Sequence, residues 1–233
     1  MKSAFLLLSQ FIGQFSCFNF DDCGVTTSCM TLPDACTPSK TSTANSTACT
    51  VISWRTEENG ISVSIYGENT TNPGDWVGVG FSKTDGMKTS DIYLCKRLGE
   101  DVKFVSAYST TEAPPIEYPT TNNSAPGIVN GTIGTVRSDY SFICNFMVNQ
   151  TVTKESETFN YVKNVTYHIL VARGILTDWT TTYHKERQSS KQAIQFFPGE
   201  KHIFINGNAK VSAMIKSHAA MMFIAWALLA PIR

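Results

Sequence analysis

Trp76-Val-Gly-Val-Gly-Phe-Ser82, then Lys83-Thr-Asp-Gly-Met87, then Ser90-Asp-Ile-Tyr-Leu-Cys95, is the stretch whose reading decides the fold. Val77, Val79 and Phe81 alternate with Trp76, Gly78 and Gly80, the two-residue period of a strand that packs one face into a core. The opposite face carries two glycines, and glycine inside a strand marks the close approach of a backbone or a flat ligand. Ser82 to Gly86 reads as a polar turn, and the next strand begins at Asp91. Met87 is the one large apolar residue between them and needs a destination.

Outward from this stretch, short runs rich in β-branched and aromatic residues predict strands at Thr50–Trp54, Ile61–Tyr66, Trp76–Phe81, Ile92–Lys96, Lys103–Tyr108, Thr132–Val136, Ser141–Val148, Thr166–Arg173 and Ala193–Phe197. Many short strands without a convincing soluble helix predict an all-β, antiparallel sandwich over residues 49–200. Residues 18–48, rich in Thr, Ser, Pro and Cys, read as an extended, disulfide-pinned arm. The proline-rich stretch from Thr110 to Gly127 reads as a long surface connection that rims a binding mouth or carries glycans. His168 falls within a regular strand, where histidine is usually a hydrogen-bonded structural residue. Ile175 to Lys191 reads as a polar loop containing His184.

The 233 residues balance 19 basic against 19 acidic side chains, and with no basic run a nucleic-acid partner is not expected. No nucleophile elbow, zinc-protease motif or phosphate-binding loop occurs, which argues against a hydrolase or nucleotide enzyme. Lys2 followed by an apolar run too short to span a bilayer reads as a signal peptide over residues 1–17. Removing Cys17 with it leaves Cys23, Cys29, Cys36, Cys49, Cys95 and Cys144 as disulfide candidates in an oxidising compartment. Six cysteines allow fifteen connectivities. By position, the four early ones staple the N-terminal segment and Cys95 joins Cys144 between strands. No Cys-x-x-Cys pair occurs, which disfavours structural zinc. Glycosylation sequons begin at Asn45, Asn69, Asn122, Asn130, Asn149 and Asn164.

The run from Trp76 through Met87 to Cys95 resembles the signature of DOMON domains, in particular those joined to cytochrome b561 domains in relatives of ferric-chelate reductases. The resemblance spans about Cys23 to Phe197. It implies a β-sandwich that holds haem b at one end, between a loop methionine, here Met87, and a downstream histidine, here His184. Trp76, Phe81, Tyr183 and Trp179 are candidates for the pocket walls, and Arg173 and Lys185 for pairing with the propionates. Thioether favours reduced iron and imidazole binds either oxidation state, so the pair implies a raised potential and an iron with no position left for a reactant. That chemistry is an electron relay rather than a catalytic centre. The absence of Cys-x-x-Cys-His excludes ordinary covalent attachment of the haem.

The uncharged run from Ser217 to Ile232 would rise only about 24 Å as a helix, short of the roughly 30 Å hydrocarbon core. Its order of residues resembles the opening of the first core helix of cytochrome b561 domains, in which His218 matches a haem ligand. Residues 212–232 are therefore expected to form part of such a helix, with a simple anchor or a lipid-anchor signal as the other readings of the tail. The function implied is an extracytoplasmic haem domain in the secretory pathway or at a membrane surface. It would relay electrons for a ferric-chelate or ascorbate-linked system, with a cytochrome b561 protein, ascorbate or ferric chelates as partners. The alternative is a sandwich module that binds a sugar or another small ligand without redox activity.

Overall fold

The computed structural model of the protein describes residues 20–34, 36, 48–68, 74–110, 114–118, 125–130, 134–136, 141–161, 164–196 and 204–205. After a single 3-10 turn at Phe20–Asp22, the chain runs β1 Ser28–Leu32, β2 Thr50–Glu57, β3 Gly60–Gly67, β4 Gly74–Ser82, β5 Ser90–Leu98, β6 Asp101–Ser109, β7 Ile116–Tyr118 and β8 Ile128–Asn130. It continues with β9 Gly134–Val136, β10 Phe142–Asn149, β11 Thr151–Lys154, β12 Glu157–Asn160, β13 Thr166–Thr177, β14 Thr180–Ser189, β15 Ile194–Gln195 and β16 Phe204–Ile205.

These strands form two large sheets. The first has the order β16-β1-β2-β3-β10-β8, with β9 also on β10; the second has the order β14-β13-β4-β5-β6-β7, with β15 also on β13. A small hairpin, β11-β12, stands apart. All pairings between named strands are antiparallel except β1 with β16. The architecture is the all-β sandwich the alternation predicts.

The inner faces make one core. Val77, Val79 and Phe81 of β4, with Tyr93 and Cys95 of β5, meet Ile52, Val63, Ile65 and Phe146 of the first sheet. Tyr93 and Phe146 approach to 5.1 Å between ring centroids, and Phe81 and Tyr161 to 5.3 Å, within the range in which aromatic pairs add to simple burial. A disulfide joins Cys95 to Cys144, sheet to sheet through this core. Cys23–Cys29 and Cys36–Cys49 close the early loops, as their positions in the chain suggest.

Within the segment read as an arm, Ser28–Leu32 is fully built into the first sheet: it pairs with β2 from Ser28–Trp54 to Leu32–Thr50. Cys29 packs with Cys49, Val51, Tyr66 and Ile143 on the outer side of that sheet, while Met30 and Leu32 enter the core. The Thr/Ser/Cys composition hides this because the strand is short and buried on both faces. The segment before β1 and the disulfides together cover what would otherwise be an open apolar surface. Residues 1–17, the tail 212–232 with His218, and Asn45, Asn69 and Asn122 lie outside the described residues. Asn149 and Asn164 are exposed.

Candidate functional site

The site is built on the outer face of the second sheet. Trp76, Gly78 and Gly80 of β4 lie in register with Lys96, Leu94 and Ile92 of β5 and with Gly174, Ala172 and Leu170 of β13. Because the two glycines contribute no side chains, the floor sinks between Leu94, Ile92, Leu170 and Ala172. It opens as a cleft of about 210 Å³. Pro114 and Pro115 form one wall, Met87 another, and Thr181 to His184 a third. The lining is mostly apolar, and its few polar groups are concentrated on β14.

Met87 and His184, distant in sequence, are thus walls of one cleft. The sandwich mouth expected from sequence is replaced by a sheet face: the side-chain alternation that sends Val77, Val79 and Phe81 inward turns the glycines outward. Phe81 consequently lies in the interior, 1% exposed and packed edge-on against Tyr93, Tyr161 and Phe196. It does not line the cleft, and the period of its own strand requires that placement.

His184 is on a strand rather than in a loop. β13 and β14 form a hairpin whose turn residues Asp178 and Trp179 both take positive φ, 47° and 64°, the geometry of a two-residue turn that matches strand twist. The ladder loses register on either side of the Gly174–His184 pair. Such bulges re-aim side chains. Here they bring consecutive residues to the same side: Tyr183 and His184 both line the cleft, their rings stacked at 4.2 Å and 26°. The continuous polar run from Thr180 to Gln188 conceals the strand, because an edge strand with bulges has no clean two-residue period.

Trp76, Gly174 and His184 stand in one row across β4, β13 and β14. A Cβ on Gly174 would lie 2.6 Å from the indole Nε1 of Trp76, so the glycine is there to let the ring lie across β13 toward the β14 wall. The same row continues onto β5 with Lys96, 2% exposed. Its Nζ donates to both carboxylate oxygens of Glu117 at 2.6 Å and to the Trp179 carbonyl at 2.9 Å. Thr181 Oγ1 donates to the same Glu117 at 3.3 Å. Trp179 packs against the Lys103 ammonium, 3.8 Å from its ring centroid, and does not line the cleft.

Arg173 is turned away: it donates to the Ala48 carbonyl and, at 2.8 Å, to Glu186. Lys185 is exposed. Neither lines the cleft, and among the described residues no lysine or arginine does. His168 Nδ1 sits 3.2 Å from the Ser190 carbonyl oxygen, the structural role expected for a strand histidine.

His184 Nε2 is buried and has no hydrogen-bond partner among the described residues. A buried nitrogen without a partner costs free energy and calls for an explanation. Burial, and secondarily the charge of Arg187, hold the imidazolium below its ordinary pKa, so the ring is neutral with a lone pair available at neutral pH. In the ligand-free protein an NMR titration of the His184 ring is expected to show a midpoint below about 6.5, and Arg187→Gln to move it part of the way back. An unfolded chain binds this proton more readily in the window below about 6.5, so folding stability falls as pH drops through that window. A midpoint at or above the ordinary value would contradict the burial of this ring.

These residues fit a flat, apolar cofactor with one imidazole and one thioether ligand: a neutral unpartnered nitrogen, a sulfur side chain and a glycine-floored apolar cleft. Of the residues expected from sequence, Met87, His184, Trp76 and Tyr183 line the cleft, together with Leu94, Ile92, Leu170, Ala172, Pro114 and Pro115, which were not expected there. The outward alternation of Ile92 and Leu94, and of Leu170 and Ala172, was the available signal for four of them.

A DOMON domain family profile matches residues 46–174. Ferric-chelate reductase 1 of Mus musculus is 26% identical over 213 residues, 90% of this chain and 32% of that protein. Putative ferric-chelate reductase 1 of Danio rerio is 20% identical over 210 residues, 88% of this chain and 32% of that protein. The putative ferric-chelate reductase 1 of Xenopus laevis is 25% identical over 213 residues, again with 90% and 32% covered. The chain thus spans about a third of the length of these relatives. The cytochrome domain of Myriococcum thermophilum cellobiose dehydrogenase aligns over 74% of this chain and 82% of that one, at 12% identity and a TM-score of 0.41, too loose a likeness to carry weight. With its strand pattern, its order of motifs and more than half its length matched to one family, the chain belongs to the DOMON domain family.

Proposed function

We propose that the cleft on the outer face of the second sheet holds a b-type haem and that the domain relays single electrons outside the cytoplasm, in a ferric-chelate or ascorbate-linked redox system at a membrane. The observation that carries this reading is that Met87 and His184 line one apolar cleft in which the imidazole nitrogen has no partner among the described residues. When bound, the haem would supply a one-electron iron couple, raised by the thioether ligand. Everything else is done by the chain. His184 presents a neutral imidazole because its ring is buried beside Arg187. Ile92, Leu94, Leu170 and Ala172 supply the apolar floor, closing over Gly78 and Gly80, whose missing side chains make room for them.

The disulfides favour an extracytoplasmic location, since they persist in oxidising compartments. The relatives' name supports a redox role, and their greater length leaves room for the membrane partner, such as a cytochrome b561 protein, that a relay requires. Exposed Asn149 and Asn164 would carry glycans in that compartment. A sugar-binding module is the weaker reading, because a sugar needs many placed polar partners and this floor supplies aliphatic side chains.

The test is a titration of the full chain, produced with its disulfides formed, with ferric haem. One equivalent should bind, and the dithionite-reduced protein should show the sharp α and β bands of low-spin haem. A folded protein that takes up no haem would overturn the proposal.

A further inference from the structure

Met87 is carried by the seven-residue connection between β4 and β5, and the two ends of that connection are a cross-strand pair of serines, Ser82 and Ser90. Both stand on the cleft side of their strands, one step beyond Gly80 and Ile92, and both are 0% exposed. Neither hydroxyl is used in the sheet; both turn into the connection. Ser82 Oγ donates to the Gly86 carbonyl at 2.8 Å and accepts from the Thr84 amide at 3.2 Å. Its oxygen is also 3.3 Å from the Lys88 carbonyl. Ser90 Oγ donates to the carbonyl of Met87 itself at 2.8 Å, with Gly86 O at 3.5 Å. Thr89 completes the loop at a φ of 54°, a conformation a threonine rarely adopts unless its surroundings fix it.

The Gly86 and Met87 carbonyls are therefore held by two buried hydroxyls, while the Met87 side chain lies half-buried against the cluster that contains Trp76, Ile92 and Leu94. A loop fastened from inside in this way has little freedom to withdraw its central side chain. Thioether is a weak ligand whose hold depends on being kept in place.

We infer that Ser82 and Ser90 are positioning residues for Met87: they pre-set the loop so that its sulfur faces the cleft before any cofactor arrives, and they keep it there afterwards. The second half of this inference rests on the haem reading; the first half does not. A buried hydroxyl that merely filled space would be replaceable by alanine with no effect on the loop.

The experiment takes the full chain as wild type, Ser82→Ala, Ser90→Ala, Met87→Ala and the Met87→Ala/Ser90→Ala double variant. In the ligand-free protein, amide exchange over Lys83–Thr89 should speed up about 3–10-fold in each serine variant, the equivalent of one lost hydrogen bond, with β4 and β5 unchanged. Unchanged exchange in this connection would overturn the inference whether or not the protein takes up haem. In the haem-loaded, reduced protein, carbon monoxide reports how often an axial position is open. Its binding should accelerate by a similar factor in Ser90→Ala, and Ser90→Ala should add nothing once Met87 is already alanine. An equal acceleration in both backgrounds would mean that the serine does not act through Met87. If the wild type takes up no haem, the haem reading fails on its own while the exchange measurement still decides the role of the serines.

Discussion

His184→Ala is expected to weaken haem binding by more than about a hundredfold, beyond the roughly 10–100-fold lost when a residue that only hydrogen-bonds a metal ligand is changed. The imidazole is the stronger donor of the pair, and its nitrogen is already buried with no partner among the described residues, so the ligand-free protein has met much of the cost of presenting it. Met87→Ala should be milder: haem stays bound through His184, one axial position opens, and the reduced spectrum loses part of its low-spin character. His168→Ala should leave the spectrum unchanged, because that ring is engaged with the Ser190 carbonyl and lies off the cleft. Haem retention in His184→Ala equal to wild type, measured by transfer to an apo-globin acceptor, would remove this residue from the site.

The second large effect lies beneath the cleft floor. Asp91 and Lys154 form an ion pair with both side chains 0% exposed. Asp91 also accepts from the Tyr93 hydroxyl at 2.9 Å and from the Tyr161 hydroxyl. Lys154 Nζ donates to the Ala107 carbonyl at 2.8 Å and lies 4.3 Å from the centroid of the Tyr93 ring. Burial, and then the Asp91 charge, push both phenols well above their ordinary pKa, so they remain proton donors. The pair itself is not a large net source of stability, since two charges had to leave water, but breaking it leaves one of them stranded. Asp91→Ala is expected to cost about 3–5 kcal/mol, read as a lowered urea midpoint at unchanged slope. Asp91→Leu combined with Lys154→Met should recover much of that loss, because neither charge is then left alone. A loss below about 1 kcal/mol in Asp91→Ala, the range of an exposed pair, would mean that water reaches this site.

The two-sheet architecture was legible because β4, β5 and β13 alternate cleanly, and the inward placement of Val77, Val79 and Phe81 followed from that period alone. The same period places Phe81 in the core and not at the cleft wall, where the resemblance alone had put it. β14 was illegible: its edge position leaves all but one of its residues at least partly exposed, whatever face they are on, and the bulges beside His184 erase the alternation. The hairpin β11-β12 was missed because its turn, with Glu155 at a φ of 52°, uses none of the usual Asn-Gly or Asp-Gly residues.

Within the site, the pairing of Met87 with His184 came from resemblance and not from any local pattern, since strand pairing across the sheet is what brings them to one cleft. Gly174 is intelligible only once Trp76 is known to be its neighbour in register. Ser82 and Ser90 look like ordinary turn residues until their hydroxyls are seen to point inward. Asp91 breaks an inward-facing row of apolar residues, and its partner lies 63 positions later on another hairpin, beyond the reach of pattern reading.

The most direct measurement of the central claim is X-ray absorption at the iron edge of the full chain loaded with one equivalent of haem and reduced. A site walled by Met87 and His184 predicts a six-coordinate iron with one sulfur ligand, and loss of that sulfur in Met87→Ala. An all-nitrogen coordination sphere, or a sulfur signal that survives Met87→Ala, would contradict it.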